Sequence, residues 1–160
     1  MLQEVYIERT SRCGIVGNIY KGKVVRVLPG MEAAFVDIGL EKAAFIHVSD
    51  VKAQISHTIT GGKDTTPDIT LLLREGQHLV VQVIKDPIGT KGARLTTQLS
   101  IASRYLVYMP DVPHIGISQR IEEEEERERL KNLVETCQLD DEARAGAGFI
   151  VRTAAEGAGE

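Results

Sequence analysis

Three short segments between residues 17 and 50 place their side chains alternately on two faces, and this pattern constrains the fold more than any other feature. The first, Ile19–Leu28, ends at Pro29-Gly30, a dipeptide that favours a turn. The second and third, Ala33–Ile38 and Ala43–Val48, alternate strictly, as half-buried strands do. We therefore predict three β-strands joined by two tight turns.

The alternation separates a small or β-branched set from a set that contains two aromatic rings. The first set comprises Ala34, Val36, Ile38, Ala44, Ile46 and Val48. Burying it leaves Phe35 and Phe45 on the opposite face, beside Asp37 and His47. Basic residues stand nearby in the sequence at Lys21, Lys23 and Arg26. This combination is typical of a stacking platform for single-stranded nucleic acid, although both rings could equally be core residues of a barrel whose other face is covered.

Two more strands follow residues 52–70, which lack periodicity and collect Gly, Thr, Asp and Pro, as loops do. A helical turn is predicted at Leu71–Glu75. Leu79–Asp86 and Ala93–Leu99 alternate, and in the latter strand Arg94, Thr96 and Gln98 are predicted to face outward. Five strands in about eighty residues, with a long connection between the third and fourth, predict a small OB-type barrel.

The chain changes character after residue 100. An apolar strand of the fully buried kind is predicted in the segment RYLVYMP, followed by a loop at 111–120. A helix is predicted over Ile121–Cys137, and a short buried strand over Gly148–Thr153. A strand, a helix and a strand are typical of the start of an α/β layer, and these few elements cannot bury both of its faces. We therefore expect the chain to be a piece of a longer protein.

The predicted helix begins with the acidic run Glu122–Glu126. Such a run can form a metal or partner site, but a solvated helix start favoured by the helix dipole is the preferred interpretation. Glu123–Arg127 and Glu125–Arg129 have the i,i+4 spacing of helix ion pairs.

The net charge of −4 is distributed unevenly. The part up to Arg104 has 13 basic and 10 acidic residues, and the part from Tyr105 onward has 6 and 13. The strand-rich part is therefore mildly basic, which allows a local phosphate-binding face. The sequence contains no apolar run long enough for a membrane span or a signal peptide, and Cys13 and Cys137 are isolated. Reduced thiols and a cytoplasmic location are therefore expected, rather than a disulfide.

Two positions could bind phosphate. Lys91 stands in a glycine-flanked turn, where a solvated lysine is the simpler interpretation. Arg152-Thr153 follows a buried strand, where a guanidinium and a hydroxyl could hold a terminal phosphate. Pairing of that arginine with a carboxylate at a sheet edge is equally compatible with the residues. No nucleophile elbow, dinucleotide loop, histidine ligand spacing or converging carboxylate set occurs, so we predict neither a catalytic residue nor a metal ligand in this chain.

Five motifs, in this order and spacing, resemble the ribonuclease E/G family, and its ribonuclease G branch most. They are NIYKGKVVRVLPGMEAAFVDIGLEKAAFIHVSD, DPIGTKGARLTT, SRYLVYMP, ISQRIEEEEERERLK and FIVRTAAEG. The resemblance implies a mainly β fold in which an S1 (OB-fold) RNA-binding domain at 15–100 is inserted in a partial RNase H-like α/β domain. Residues 1–14 would supply a strand of that domain, and residues 101–160 would continue it toward a 5′-sensor region.

The resemblance also implies a function. Members of the family are endoribonucleases that cut single-stranded RNA, prefer a 5′-monophosphate and act in rRNA processing and mRNA decay. By motif, Phe35 and Phe45 resemble the family's RNA-stacking aromatics and Lys91 its basic contact. Arg152 and Thr153 resemble the pair that grips the 5′-monophosphate, with Val107 packing nearby. Gln119 departs from the family pattern of two arginines before the acidic helix.

The family requires Mg²⁺, uses Zn²⁺ between subunits of a homo-oligomer, and has its catalytic aspartates and its zinc-binding cysteines in a part not contained in residues 1–160. We therefore expect this chain to be inactive in isolation. The main alternative is a non-catalytic S1-type RNA-binding module in translation or RNA decay, which would leave Arg152-Thr153 unexplained. A third interpretation makes the acidic helix a protein-docking surface and the barrel a scaffold.

Overall fold

The computed structural model describes residues 13–51, 68–110, 112–139 and 146–158. The predictions for residues 1–12 and for most of the 52–70 loop lie outside these ranges. The chain divides into two compact units, one ending at Thr97 and the other beginning at Gln98. No helix among the described residues is long and apolar enough to cross a membrane.

The first unit is a closed five-stranded barrel with the strand order β1-β2-β3-β5-β4. Its strands are β1 (Ile19–Leu28), β2 (Ala33–Asp37), β3 (Ala44–His47), β4 (His78–Lys85) and β5 (Arg94–Thr96). The β3–β5 pair is parallel, and the other four pairs are antiparallel. The predicted mainly β fold with an OB-type barrel is confirmed.

The barrel interior holds the side chains that alternation predicts. Val24, Val36, Ile46, Val81 and Leu95 have no exposed surface. Burial of such β-branched and aliphatic side chains stabilises the barrel by about 1.5–3 kcal/mol each. The inward prediction for β2 and β3 is confirmed, and their alternate residues remain at the outer surface.

Three local predictions in the barrel were wrong. The helical turn, α1, is Ile69–Leu72 rather than Leu71–Glu75, because the Asp68 carboxylate accepts a hydrogen bond from the Thr70 N–H and starts the helix earlier. β5 is shorter than predicted, and Thr96 is buried rather than outward-facing. The Thr96 hydroxyl donates to the Asp50 carbonyl at 3.0 Å, which satisfies the polar group inside the fold.

The second unit is a four-stranded sheet in the order β6-β7-β9-β8 with one long helix. Its elements are β6 (Ile101–Ala102), β7 (Leu106–Met109), β8 (Ile115–Ile117), α2 (Glu124–Leu139) and β9 (Gly148–Val151). The helix residues Leu130 and Val134 are buried in one core cluster with Ile121, Val151 and Ala155. One face of the sheet therefore packs on α2.

Several predictions for the second unit need correction. β8 lies in the predicted 111–120 loop, since three residues between prolines and polar residues are too few to show a period. β7 is half-buried rather than fully buried. Arg127 and Arg129 of α2 pair with Glu124 and Glu126 at i,i+3, instead of with the predicted partners Glu123 and Glu125 at i,i+4. Cys13 and Cys137 are both exposed.

Candidate nucleic-acid interface

Phe35 and Phe45 are directly opposite each other in the antiparallel β2–β3 ladder. Phe35 is 38% exposed and Phe45 is partly exposed, while their neighbours Ala34 and Ile46 are buried. Opposite positions in such a ladder bring Cβ atoms to within about 4.5–5.5 Å. The two rings therefore form one aromatic patch on the outer surface of the barrel.

An arginine stands on each side of this aromatic pair. A bulge between Val24 and Arg26 shifts the β1–β2 register, leaves Val25 exposed and sets Arg26 opposite Phe35. On the other side, the parallel β3–β5 ladder pairs Phe45 with Arg94. We call these four residues, Arg26, Phe35, Phe45 and Arg94, the outer row. It runs across four neighbouring strands, so its members are spaced by about 4.8 Å of strand separation.

The arginine on β5 is held by a carboxylate from the segment after β3. Arg94 Nε and Nη2 both donate to Asp50 Oδ2, at 2.8 and 2.7 Å. The Asp50 side chain is 18% exposed and that of Arg94 is 32% exposed. The ion pair thus lies at the surface of the barrel with its carboxylate on the more buried side.

Further basic residues extend the outer face. Lys21 and Lys23 are exposed on β1, and Lys23 lies opposite Asp37 in the β1–β2 ladder. Lys85 of β4 is exposed and pairs with Arg94. The basic residues near the aromatic pair therefore come from three strands. The residues predicted from sequence proximity all lie on β1.

Lys91 occupies the tight turn between β4 and β5. The backbones of Ile88 and Lys91 exchange two hydrogen bonds, 3.2 and 3.0 Å long, around Gly89, whose φ is +56°. Lys42 Nζ donates to the Gly89 carbonyl at 2.6 Å, which ties this turn to the β2–β3 connection. The structure therefore places Lys91, exposed, on the connection that leads into β5 rather than within the outer row.

Asp37 and His47, the polar neighbours of the aromatic pair, make local contacts. Asp37 Oδ1 accepts from the Gly39 N–H at 2.8 Å and so stabilises the β2–β3 turn. His47 Nδ1 lies 2.9 Å from the Ser49 hydroxyl. Within the described ranges, no group of three His, Cys, Asp or Glu side chains is placed to hold a metal ion, so we assign no metal ligand here.

In the second unit, Arg152 directly follows β9. Its backbone N–H donates to the Tyr105 carbonyl at 2.7 Å, and its Nη1 donates to the Ser103 carbonyl at 2.6 Å. The guanidinium partner is thus a neutral carbonyl, so this contact orients the exposed arginine without offsetting its charge. The guanidinium of Arg152 thus contacts the Ser103 carbonyl instead of the carboxylate considered from the sequence.

Thr153, the next residue in the chain, contacts a different segment. Its hydroxyl lies 3.2 Å from the hydroxyl of Ser118, and the Ser118 N–H donates to the Val151 carbonyl at 2.9 Å. Arg127 Nη1 donates to the Ser118 carbonyl at 3.0 Å and holds that segment from α2. Sequence reasoning missed Ser118, because its only signal was a hydroxyl shortly before the acidic helix.

Val107 lies on the same side of the sheet as Arg152. It pairs with Ile150 across the β7–β9 ladder, while the adjacent Leu106 and Val151 pack toward α2. The Arg152 backbone remains extended, with φ −86° and ψ 160°, so its side chain continues the alternation of β9 onto the face of Ile150. By this alternation Val107 and Arg152 share a face of the sheet, and Thr153 follows Arg152 in the chain with its hydroxyl at Ser118.

Glu126 departs from the prediction of a simply solvated acidic helix start. Its carboxylate accepts two hydrogen bonds from the Arg129 guanidinium, both 2.7 Å, and one of 2.9 Å from the Gly157 N–H. Arg129 Nη2 also donates to the Ala158 carbonyl at 3.0 Å. The pair thereby fixes the backbone that follows Thr153, so Glu126 helps to hold the phosphate-binding candidates in place.

These contacts predict a pH dependence of stability. The hydrogen bond from Arg129, together with that from Gly157, lowers the pKa of Glu126 from 4.5 to about 2. A depressed carboxyl pKa stabilises the fold above the unfolded value and loses that contribution as the pH falls through the folded value. We expect Glu126→Gln to lower the melting temperature at pH 6, with the difference shrinking below about pH 4.5 and vanishing near pH 2.

Thermal unfolding between pH 2 and pH 7 measures this difference. Glu125→Gln is the matched control, since Glu125 is an exposed neighbour in the same turn of α2. A Glu126→Gln effect that is independent of pH would show that the carboxylate charge does not maintain these contacts.

Comparison with known proteins shows what each part of the chain is similar to. Residues 15–96 match the S1 RNA binding domain, and residues 100–160 match the ribonuclease E/G family. The chain is 60% identical to ribonuclease G of Escherichia coli K12 over 166 aligned positions, which include 100% of this chain. This chain belongs to the ribonuclease E/G family. It is 43% identical to ribonuclease E of the same organism over 88% of its length, so the predicted closer resemblance to ribonuclease G is confirmed.

The alignment covers 32% of the E. coli ribonuclease G and 13% of the E. coli ribonuclease E, so the chain spans about a third or less of these curated relatives. Among solved structures, the solution structure of GSP13 from Bacillus subtilis aligns with 51% of this chain and 54% of that chain. Its sequence identity is 26% and its TM-score 0.37.

Proposed function

We propose that this chain is the RNA-binding and 5′-monophosphate-sensing part of a single-strand-specific endoribonuclease that acts in rRNA processing and mRNA decay. The observation that carries the proposal is the outer row, in which two adjacent exposed aromatic rings lie between two arginines on an S1 barrel. Every base has a π-face, so this platform accepts single strands of any sequence. Bases within a duplex cannot reach it.

In this proposal, one base stacks on Phe35 and the next on Phe45, while basic side chains contact the phosphates between them. Lys91, on the turn before β5, supplies a further phosphate contact beyond the outer row. Stacking gives most of the affinity, and the mildly basic face adds a salt-dependent component. This division of roles explains how a chain with a net charge of −4 can bind RNA.

The 5′-monophosphate is assigned to Arg152 and Thr153. The contact with Ser103 uses one N–H group of the Arg152 guanidinium, on Nη1. The remaining guanidinium N–H groups, with the Thr153 hydroxyl, suit a doubly charged terminal phosphate. Val107, which pairs with Ile150 of β9, is assigned to the same site. A 5′-hydroxyl end has no charged phosphate oxygens, so it accepts fewer and weaker hydrogen bonds from these donors, and the site distinguishes the two ends.

Cleavage itself is assigned to the whole protein. Its membership in a ribonuclease family supports metal-dependent hydrolysis, for which we propose Mg²⁺, with Zn²⁺ joining subunits of a homo-oligomer in the cytoplasm. We further propose that residues 101–160 belong to a partial RNase H-like domain into which the S1 domain, residues 15–100, is inserted, with residues 1–14 as a strand of that domain.

The sensing role is tested by comparing the affinities of a 5′-monophosphorylated and a 5′-hydroxyl oligonucleotide of the same sequence. We expect Arg152→Ala to reduce the preference for the monophosphate by about 10- to 150-fold, since a charged hydrogen bond contributes about 1.5–3 kcal/mol. Lys131→Ala is the control, because it removes the same charge from α2. Equal binding of both ends by the unaltered chain would contradict the sensor assignment and favour a non-catalytic S1-type RNA-binding module.

A further inference from the structure

The position of Arg94 in the barrel is set by partners distant in the sequence. Its neighbour Leu95 points inward and is fully buried, so Arg94 points to the outer surface. The parallel ladder places it opposite Phe45, and the β4–β5 ladder places Lys85 on its other side. Arg94 therefore borders the aromatic patch directly, on the side away from Arg26.

The guanidinium of Arg94 is held by one edge only. Both of its hydrogen bonds, from Nε and Nη2, go to the same oxygen of Asp50. An arginine has five N–H donors in a planar fork, so the edge that carries Nη1 is directed away from the carboxylate. The side chain is 32% exposed, and Asp50 does not use the donors on this second edge.

Asp50 is itself held in place by backbone and side-chain hydrogen bonds. Its carbonyl accepts from the Thr97 N–H at 2.9 Å and from the Thr96 hydroxyl at 3.0 Å, both on the same segment as Arg94. Its carboxylate offsets part of the local positive charge, so the pair is poorly suited to attracting a distant ligand. It is better suited to holding a guanidinium in one orientation, because immobilising a long side chain on binding otherwise costs about 0.5–1.5 kcal/mol.

We propose that Arg94, oriented by Asp50, binds the phosphate next to the base that stacks on Phe45, and so sets the register of the single strand on the outer row. The inference rests on the proposed RNA-binding function and extends it by one phosphate contact and one positioning residue. Asp50 touches no nucleotide and acts through Arg94. The planar guanidinium of Arg94, next to the Phe45 ring, binds a phosphate in one orientation, whereas a mobile lysine side chain acts as a point charge.

The test measures the affinity of the 160-residue chain for a single-stranded oligoribonucleotide at several salt concentrations. The main variant is the double substitution Asp50→Asn with Arg94→Gln, which removes one charge of each sign and retains a neutral hydrogen-bonding pair. We expect about 10- to 150-fold weaker binding, as for loss of a charged hydrogen bond. The slope of log affinity against log salt should fall by about 0.7, the value for one phosphate of a single strand.

The matched control replaces another ion pair, Lys131 and Glu135 of α2, by glutamines. It alters the net charge no more than the main variant does, so it should leave both affinity and slope unchanged. The single variant Asp50→Asn keeps the arginine charge, and we expect weaker binding with the salt slope retained. Thermal unfolding of each variant verifies that the barrel is intact.

The outcomes separate the two proposals. If the unaltered chain does not bind single strands, or binds them independently of Phe35 and Phe45, the RNA-binding proposal is wrong. If binding depends on the two rings but the double variant keeps the affinity and slope of the unaltered chain, the role of Arg94 is wrong. If Asp50→Asn binds as tightly as the unaltered chain, Arg94 binds the phosphate without needing Asp50 to orient it, and the positioning role is wrong.

Discussion

Replacing Phe35 and Phe45 together by alanine is expected to weaken single-strand binding by about 2–6 kcal/mol, because each stacked base contributes about 1–3 kcal/mol. Each single variant should lose about half of this energy if the two rings hold different bases. A double variant that loses no more than either single variant would indicate that one base bridges both rings, since coupled residues are not additive. Both side chains lie on the outer face, so their removal leaves the barrel core unchanged.

Titration of a labelled single-stranded oligonucleotide measures these affinities. The matched control replaces Leu71 and Ile88, two exposed aliphatic residues of the same unit, by alanine. The control should bind like the unaltered chain. Unchanged affinity in the phenylalanine variant, with an intact fold, would remove the stacking platform from the proposed function.

Gly92→Ala is expected to disrupt the barrel at its parallel ladder. A Cβ at this position would overlap the carbonyl oxygen of Ala43 and lie 2.8 Å from its carbonyl carbon, both of which are backbone atoms that cannot rotate away. The adjacent Ala93 carbonyl accepts from the Phe45 N–H at 2.9 Å, so β3 and β5 would have to separate. We expect a loss of about 3 kcal/mol or more, at the upper end of overpacking costs.

Hydrogen exchange at the Phe45 and Ile46 amides measures this effect locally, and urea unfolding measures it for the chain. Gly30→Ala is the control, because a Cβ there meets no atom within 4 Å. RNA binding should be lost with the ladder, since the ladder places Phe45 beside Arg94. Amide protection equal to that of the unaltered chain would show that the strands tolerate the methyl group.

Local patterns in the sequence predicted the elements that depend on neighbouring residues. β1 has the predicted bounds, and the common face of Phe35 and Phe45, opposite the buried set, follows from alternation, because successive side chains of a strand must point to opposite faces. Alternation left open whether that face is exposed or covered. The same reasoning failed for β8, which is too short to show a period and is held by its parallel pairing with β9. Local patterns made Lys91 and Arg152-Thr153 candidates for phosphate binding but left simpler interpretations open. Family resemblance gave them their roles and added Val107.

The barrel, its inner face and the common face of the two rings could therefore be predicted from sequence, since they follow from alternation and turn residues over short spans. Only the tertiary structure decided what surrounds the rings. The bulge that sets Arg26 opposite Phe35 and the parallel ladder that sets Arg94 opposite Phe45 depend on how the barrel closes. In the second unit, the contact between Glu126 and Gly157 likewise joins residues that are 31 apart in the sequence. Tertiary contacts of this kind join residues at irregular distances along the sequence, so no local pattern can predict them.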